Sequence, residues 1–232
     1  MFRTLLLLLL STSLAFAADD KSAAIKDSLQ KYQPLIGPVD QVNPSPISGL
    51  YEVVTGDHIF YTDEKVEVLI DGQMFDLANR RNLTEARARK LFAVEFDKLP
   101  LNIAVKKVKG NGSRKLAYFT DPNCGYCKKL EQELKSIDNV TLYLFMYPIF
   151  AGSAEKVQAV RCSKDPVKAW DALMLDGVQP KAATCKVPTD EVIALGRKLK
   201  VNGTPALIFA NGVINPGYLP ADRLEKALSE NK

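Results

Sequence analysis

Apolar and polar positions in the first part of the chain predict a short helix followed by several short strands. Apolar residues recur at helical spacing over 22–32. After a stretch that contains four prolines, strand-like runs occupy 50–55, 58–62 and 66–70. Asp71-Gly72 predicts a hairpin turn that leads into residues 74–77. The pattern therefore predicts a β-rich unit over residues 18–79, which is small enough to favour oligomerisation.

The next segment has the pattern of a helix that links two blocks. Asn82 is a suitable helix cap with Glu85 three residues later, and 86–99 has helical spacing until Pro100 ends it. Because this segment is mostly polar and lies between two strand-rich blocks, we interpret residues 80–100 as a linker helix. Its arginines and lysines fit a solvated helix face better than a nucleic-acid site.

The remaining block, residues 101–232, alternates predicted strands with predicted helices. The strands are expected at 102–109, 115–120, 140–147 and 206–210. Helices are expected at 127–137 and 221–230, with a largely helical stretch over 153–199. This order predicts an α/β sandwich around a central sheet.

The amino terminus has the pattern of an export signal. Arg3 precedes an unbroken leucine run at 5–10, and Ala15-Phe16-Ala17 fits the small-x-small cleavage rule. The apolar run is shorter than the ~20 residues that a membrane-spanning helix needs. We therefore expect residues 1–17 to form a signal peptide cleaved after Ala17, and a mature chain without a membrane span. Disulfides persist in the compartments that such proteins enter.

Composition and charge exclude several classes of protein. The chain has 232 residues, of which 47% are hydrophobic and 25% charged, and these fractions exclude a disordered chain. A net charge of +4 is too small to indicate nucleic-acid binding. The single histidine, His58, excludes a histidine-rich metal site and disfavours catalysis by a Cys-His pair. The four cysteines therefore carry most of the chemical information.

Cys124-Gly125-Tyr126-Cys127 lies between a predicted strand and a predicted helix, which is the context of a redox-active pair. Free backbone N–H groups and the helix dipole favour a thiolate at Cys124. Cys127, one turn further along, is expected to be more buried and to remain a thiol. The alternatives are half of a zinc site, for which a second ligand pair is missing, or an inert disulfide.

The other two cysteines, Cys162 and Cys185, belong to neither a C-x-x-C motif nor an evident helix start. In an oxidising compartment their simplest interpretation is a structural disulfide, and the alternative is an electron-relay pair.

Gly203-Thr204-Pro205 directly precedes an apolar strand. A proline at that position is able to adopt the cis form in a tight turn, or to begin the strand as an ordinary trans residue.

Taken in order, these motifs resemble the DsbC-type periplasmic disulfide isomerases. The resemblance rests on Phe119-Thr120-Asp121, the Cys-Gly-Tyr-Cys motif and Gly-Thr-Pro-Ala at 203–206, placed behind a signal peptide, a β-rich unit and a linker helix. It covers essentially the whole mature chain. The implied fold is an α+β amino-terminal dimerisation domain joined by a linker helix to an α/β thioredoxin-fold domain with a helical insertion.

The resemblance also implies residue roles. Cys124 is the attacking cysteine, Cys127 the resolving one, and Cys162–Cys185 a structural disulfide. Active-site and substrate-backbone contacts are expected from Gly125, Tyr126, Thr204 and cis-Pro205. Thioredoxins carry a buried acid six residues before the first cysteine, and Tyr118 at that position disfavours a thioredoxin-like reductant.

The expected partners are a second copy bound through the amino-terminal domain, misfolded exported proteins, and a membrane reductant of the DsbD type. The expected location is the periplasm, and no cofactor, metal or nucleic acid is expected. Two alternatives remain beside the isomerase: a DsbG-like reductase that protects single cysteines, and a non-catalytic holdase chaperone.

Overall fold

The computed structural model describes residues 13–56 and 58–231, and the chain divides into two compact units between Phe92 and Ala93. The predicted signal peptide, residues 1–17, lies mostly outside the described residues. Across the ranges that are described, no helix has both the length and the apolar character needed to cross a bilayer.

The first unit packs a helix on a small antiparallel sheet. Its helices are α1 (Ser13–Leu29) and α2 (Gln33–Ile36), with a 3-10 turn (Gln30–Tyr32) between them. Its sheet contains, in chain order, β1 (Gln41–Pro44), β2 (Leu50–Thr55), β3 (His58–Asp63) and β4 (Leu69–Ile70). Ile25 and Leu29 are buried in the core of this unit, as the helical spacing predicted, whereas Tyr32 is exposed.

The hairpin predicted at Asp71-Gly72 is wrong. β4 pairs with β3 instead, and the next strand, β5 (Phe75–Asp76), pairs with β6 (Arg81–Asn82). The chain reverses before β4, because the Asp63 carboxylate accepts hydrogen bonds from the backbone N–H groups of Glu67 and Val68. A side chain that satisfies turn donors in this way fixes the reversal without a glycine.

The predicted linker helix exists but is shorter than expected. α3 (Leu83–Leu91) begins at Asn82, whose side chain accepts from the N–H of Glu85 at 3.0 Å, as the capping pattern predicted. The extension to residue 99 is wrong, since residues 92–95 leave the helix and a 3-10 turn (Phe96–Lys98) follows. The reason is tertiary, because Phe96 and Leu99 are buried in a core cluster of the second unit.

The second unit is built on a five-stranded sheet. Its strands are β7 (Val105–Lys109), β8 (Arg114–Thr120), β9 (Val140–Met146), β10 (Ala206–Phe209) and β11 (Ile214–Pro216). The spatial order is β11-β10-β8-β9-β7, and only β8 and β9 are parallel. The expected strand at 102–109 begins later, because a 3-10 turn occupies Leu101–Ile103.

Helices and connecting segments cover both faces of this sheet, so the α/β sandwich is confirmed. Leu116 and Tyr118 of β8 face one buried cluster, while Ala117 and Phe119 face the other. The helices are α4 (Gly125–Leu134), α5 (Ser153–Arg161), α6 (Pro166–Asp176), α7 (Thr189–Lys198) and α8 (Ala221–Glu230). The helical stretch predicted over 153–199 is thus three helices, with an irregular segment at 177–188.

Candidate functional site

The Cys-Gly-Tyr-Cys motif lies where the central strand passes into a helix. β8 ends at Thr120, and Cys124 is the N-cap residue of α4. Its sulfur accepts a hydrogen bond from the backbone N–H of Cys127 at 3.3 Å. Both cysteines are free thiols, with 5% of Cys124 and none of Cys127 exposed. A cap sulfur that already accepts an amide hydrogen bond is placed to hold negative charge.

Strand pairing brings a second segment of the chain to the same point. β10 runs antiparallel to β8 with Ala206 opposite Phe119, which places the residues before β10 next to the cysteine pair. The carbonyl oxygen of Thr204 lies 3.2 Å from the sulfur of Cys124. The Thr204–Pro205 peptide bond is cis, and Pro205 is buried.

Cys127 occupies a different environment from Cys124. Burial raises the pKa of the Cys127 thiol to about 12. The backbone N–H of Asp121 donates to its sulfur at 3.5 Å. The buried hydroxyls of Thr204 and Thr120 lie close to the sulfur without well-aligned hydrogen bonds of their own, and both favour its ionised form. At neutral pH this cysteine is therefore a thiol, surrounded by groups that stabilise the thiolate once it forms.

The surface beside Cys124 is aromatic and basic. Gly125 is exposed, and the ring of Tyr126 is 59% exposed. The Tyr126 ring lies 6.1 Å from that of Tyr218, and the Lys129 ammonium lies 5.1 Å from the Tyr126 ring centre. An exposed aromatic surface next to a reactive sulfur is suited to binding apolar segments of another protein.

Asp121 organises the loops of the site, although in the sequence it stands out only as part of the motif Phe119-Thr120-Asp121. Its side chain is completely buried and accepts hydrogen bonds from four donors. The donors are the N–H groups of Asn123 (2.7 Å), Ile149 (2.7 Å) and Phe150 (3.1 Å) and the hydroxyl of Ser153 (2.6 Å). Asp121 thus ties the loop before Cys124 to the segment that precedes α5. Its place three residues before the first cysteine was the available clue.

Cys162 and Cys185 form a disulfide in the structure. Cys162 directly follows α5, and Cys185 lies in the irregular segment between α6 and α7. The Gln158 side chain, also on α5, donates to the carbonyl oxygen of Cys185 at 2.7 Å. The disulfide and this hydrogen bond tie the irregular segment to α5.

Each of the two units matches the model of a known protein family. Residues 101–232 match the model of a thioredoxin-like domain, and residues 16–85 match the N-terminal domain of the disulfide bond isomerase protein.

Known proteins that are similar to the chain include two from bacterial genomes and one of solved structure. A probable thiol:disulfide interchange protein DsbC of Bordetella pertussis is 44% identical over 92% of this chain and 76% of its own length. Thiol:disulfide interchange protein DsbC of Escherichia coli K12 is 30% identical over 98% and 95%, respectively. The crystal structure of a disulfide interchange protein from Neisseria gonorrhoeae, 40% identical, superposes with a TM-score of 0.56 over 57% of this chain and 98% of that one.

Proposed function

Since this chain belongs to the DsbC family of thiol:disulfide interchange proteins, we propose that it acts as a protein-disulfide isomerase through Cys124 and Cys127. The observation that carries the assignment of residues is the position of Cys124. Its sulfur caps α4, accepts an amide hydrogen bond and lies beside Thr204. Cys162–Cys185 is the structural disulfide of the same domain.

The first step is attack on a substrate disulfide. The Cys124 thiolate attacks one sulfur of the disulfide, a new bond joins Cys124 to that sulfur, and the other substrate sulfur leaves as a thiolate. Backbone groups next to Pro205 lie beside the reacting sulfur, and we assign to Thr204 and Pro205 the binding of the substrate backbone. Gly125 and Tyr126 contact the substrate from the other side of Cys124.

The mixed disulfide is resolved in one of two ways. When another substrate thiolate attacks it, a substrate disulfide with a new pairing forms and Cys124 leaves as a thiolate, so the net reaction is isomerisation. When Cys127 attacks Cys124, the substrate leaves reduced and the enzyme pair is oxidised. The high pKa of Cys127 makes the second route slow, which gives the substrate time to try other pairings.

Refolding of a protein with scrambled disulfides tests this function. Catalytic amounts of the reduced protein are expected to restore the activity of the scrambled protein, and Cys124→Ser is expected to abolish the effect. Cys127→Ser is expected to accumulate covalent complexes at Cys124. The matched control is the double variant Cys162→Ser, Cys185→Ser, which removes two cysteines and retains the reaction. Full activity of Cys124→Ser would refute the proposal.

Chaperone activity accompanies the reaction through the exposed aromatic surface around Tyr126. Suppression of aggregation by the double variant Cys124→Ser, Cys127→Ser separates binding from chemistry. If this variant retained all of the refolding effect, the protein would be a holdase. Faster reduction of a sulfenylated single-cysteine protein than of a scrambled one would instead indicate a DsbG-like reductase.

The protein forms a homodimer through its amino-terminal unit. The unit matches the amino-terminal domain of the isomerase family and carries several exposed apolar side chains near its edge strand β4. These are Val68, Ile70, Phe75 and Leu77. A dimer carries two catalytic domains, which raises the effective concentration of thiols near one bound substrate. Sedimentation equilibrium is expected to give twice the mass of the chain, and a monomer would contradict the assignment.

We place the protein in the periplasm, with residues 1–17 removed after Ala17. Mass measurement of the exported protein tests the cleavage site. A membrane reductant of the DsbD type keeps the Cys124–Cys127 pair reduced. Thiol trapping in cells that lack such a reductant is expected to find this pair oxidised.

A further inference from the structure

A buried carboxylate lies one helical turn beyond the resolving cysteine. Glu131, on α4, is only 2% exposed. Its Oε1 atom accepts hydrogen bonds from the hydroxyl of Tyr118 at 2.8 Å and from the indole N–H of Trp170 at 2.7 Å. Its Oε2 atom is buried and has no hydrogen-bond partner within the described ranges. Burying a carboxylate oxygen without a partner costs folding free energy, so its presence in a native fold requires an explanation.

The nearby cations do not neutralise Glu131. Lys107 on β7 forms an ion pair with Asp171 on α6 at 2.6 Å. Lys109 on β7 donates to backbone carbonyl oxygens at the end of α4. Burial raises the pKa of Glu131, and the nearby negative charge of Asp171 raises it further. The hydrogen bonds from Trp170 and Tyr118 lower this pKa, as does the positive charge of Lys107, but the net shift is upward. Glu131 therefore takes up a proton more readily than an exposed glutamate does.

Cys127 must lose a proton to attack, yet it has no access to bulk water. It is completely buried. Residues four apart on a helix lie on the same face with Cβ atoms ~5–6 Å apart, so Cys127 and Glu131 are neighbours. Tyr118 packs in the same cluster as Cys127 and donates to Glu131. Burial, Glu131 and Cys127 raise the pKa of Tyr118 well above its usual value, so the phenol stays protonated. The carboxylate oxygens of Asp121 already accept from four donors, whereas Oε2 of Glu131 has no partner among the described residues and is able to accept a proton.

We propose that Glu131 is the proton acceptor of Cys127 in the resolving step, an inference that rests on the proposed function. The Cys127 S–H bond breaks and its proton passes across one helical turn to Oε2 of Glu131. The Cys127 sulfur then bonds to Cys124, the bond from Cys124 to the substrate sulfur breaks, and the substrate leaves as a thiolate. The enzyme pair is oxidised by two electrons and the substrate sulfur is reduced. In the reverse reaction Glu131 returns the proton.

The resolving step is measured on the full chain as the mixed disulfide of Cys124 with glutathione. Release of glutathione is followed by quenched-flow mass spectrometry from about pH 4 to about pH 9. If Glu131 accepts the proton, the rate rises with pH and levels off once this carboxylate is ionised, well below the pKa of Cys127. A rate that rises about tenfold per pH unit throughout, as expected for removal of the proton by hydroxide, overturns the proposal without any variant.

Glu131→Gln keeps an acceptor for Tyr118 and Trp170 but cannot take the proton. We expect it to slow glutathione release at neutral pH by about a hundredfold and to abolish the plateau. The matched control is Glu133→Gln, which removes one charge from the same helix and keeps one acceptor oxygen for either Tyr218 or the N–H of Ala221, since these two groups donate to different oxygens of Glu133. This control is expected to keep both the rate and the plateau.

The possible outcomes distinguish a failure of the role proposed for Glu131 from a failure of the proposed function. If the wild-type protein forms and resolves the mixed disulfide while Glu131→Gln keeps its rate and plateau, only the role of Glu131 is overturned. If the wild-type protein does not form the mixed disulfide at Cys124, the proposed function itself fails. Urea denaturation shows whether Glu131→Gln is folded, and the plateau in the wild-type protein decides the matter if it is not.

Discussion

The sulfur of Cys124 lies 3.2 Å from the carbonyl oxygen of Thr204, a residue eighty positions later in the chain. The contact exists because β10 pairs with β8, which brings the residue before cis-Pro205 to the start of α4. The sulfur proposed as the nucleophile and the backbone proposed to bind its substrate thus come from segments eighty positions apart in one domain. Anything that shifts β10 against β8 is therefore expected to change catalysis.

Cys127 is expected to ionise only at high pH. In Cys124→Ser, where it is the remaining free thiol, its alkylation rate is expected to be still rising above pH 9, because burial raises the pKa of this thiol. The same variant unfolded in urea is expected to level off near the ordinary thiol pKa of ~8.5. A plateau near that value in the folded protein would contradict the assignment.

The same shift predicts a loss of stability in alkali. A thiol whose pKa is raised by folding stabilises the folded state below the unfolded pKa, and this contribution is lost as the pH rises through the folded pKa. The difference in free energy of unfolding between the reduced protein and Cys127→Ala is therefore expected to decrease from about pH 9 to about pH 12. A difference that does not change with pH would be inconsistent with a buried thiol.

Asp121→Ala is expected to lower the free energy of unfolding by about 3 kcal/mol or more, since it leaves the buried hydroxyl of Ser153 and three part-buried backbone N–H groups without an acceptor. It is also expected to slow exchange at Cys124, because the loop before α4 loses its anchor. Urea denaturation and alkylation of Cys124 measure the two effects. The control Asp97→Ala removes an exposed carboxylate paired with Lys115 and is expected to cost less than about 0.5 kcal/mol. Equal losses for the two variants would argue against this role.

Gly212→Ala is expected to destabilise the second unit more than Gly177→Ala. Both glycines have left-handed backbone, with φ of +82° and +72°. A Cβ atom at Gly212 would overlap the carbonyl oxygen of Val94, whereas one at Gly177 would meet nothing within 4 Å. Gly177→Ala is expected to cost about 1 kcal/mol and Gly212→Ala at least about 2 kcal/mol more in thermal or urea unfolding. Similar costs would show that Val94 does not pack on Gly212.

Removal of the second disulfide is expected to affect stability and not chemistry. Cys162→Ala with Cys185→Ala opens a loop that spans 23 positions, which corresponds to about 3 kcal/mol in the free energy of unfolding. The alkylation rate of Cys124 is expected to stay the same. A marked change in that rate would favour the electron-relay alternative.

Local patterns determined those parts of the structure that depend on neighbours in sequence. The cap at Asn82, the strand before Cys124 and the helix that begins there follow from residues within a few positions of one another. The motif order also sufficed for the family, because the reactive cysteines and the Thr-Pro pair are short and specific signatures.

The same patterns gave wrong predictions where contacts between residues distant in sequence determine the secondary structure. The helix predicted to run to residue 99 stops at Leu91 because Phe96 and Leu99 gain more by burial in the second unit than by helical hydrogen bonds. The hairpin at Asp71-Gly72 was wrong because β4 finds its partner in β3.

The sequence by itself determined that two cysteines three positions apart lie at the start of a helix, since the strand, the motif and the helix depend on residues that are neighbours in the chain. Only the tertiary structure decided what surrounds the pair. The four donors on Asp121, the carbonyl of Thr204 beside Cys124 and the unpartnered oxygen of Glu131 arise where strands and loops remote in sequence meet. Such tertiary contacts depend on burial and strand pairing over the whole domain, so the local spacing of residues does not predict them.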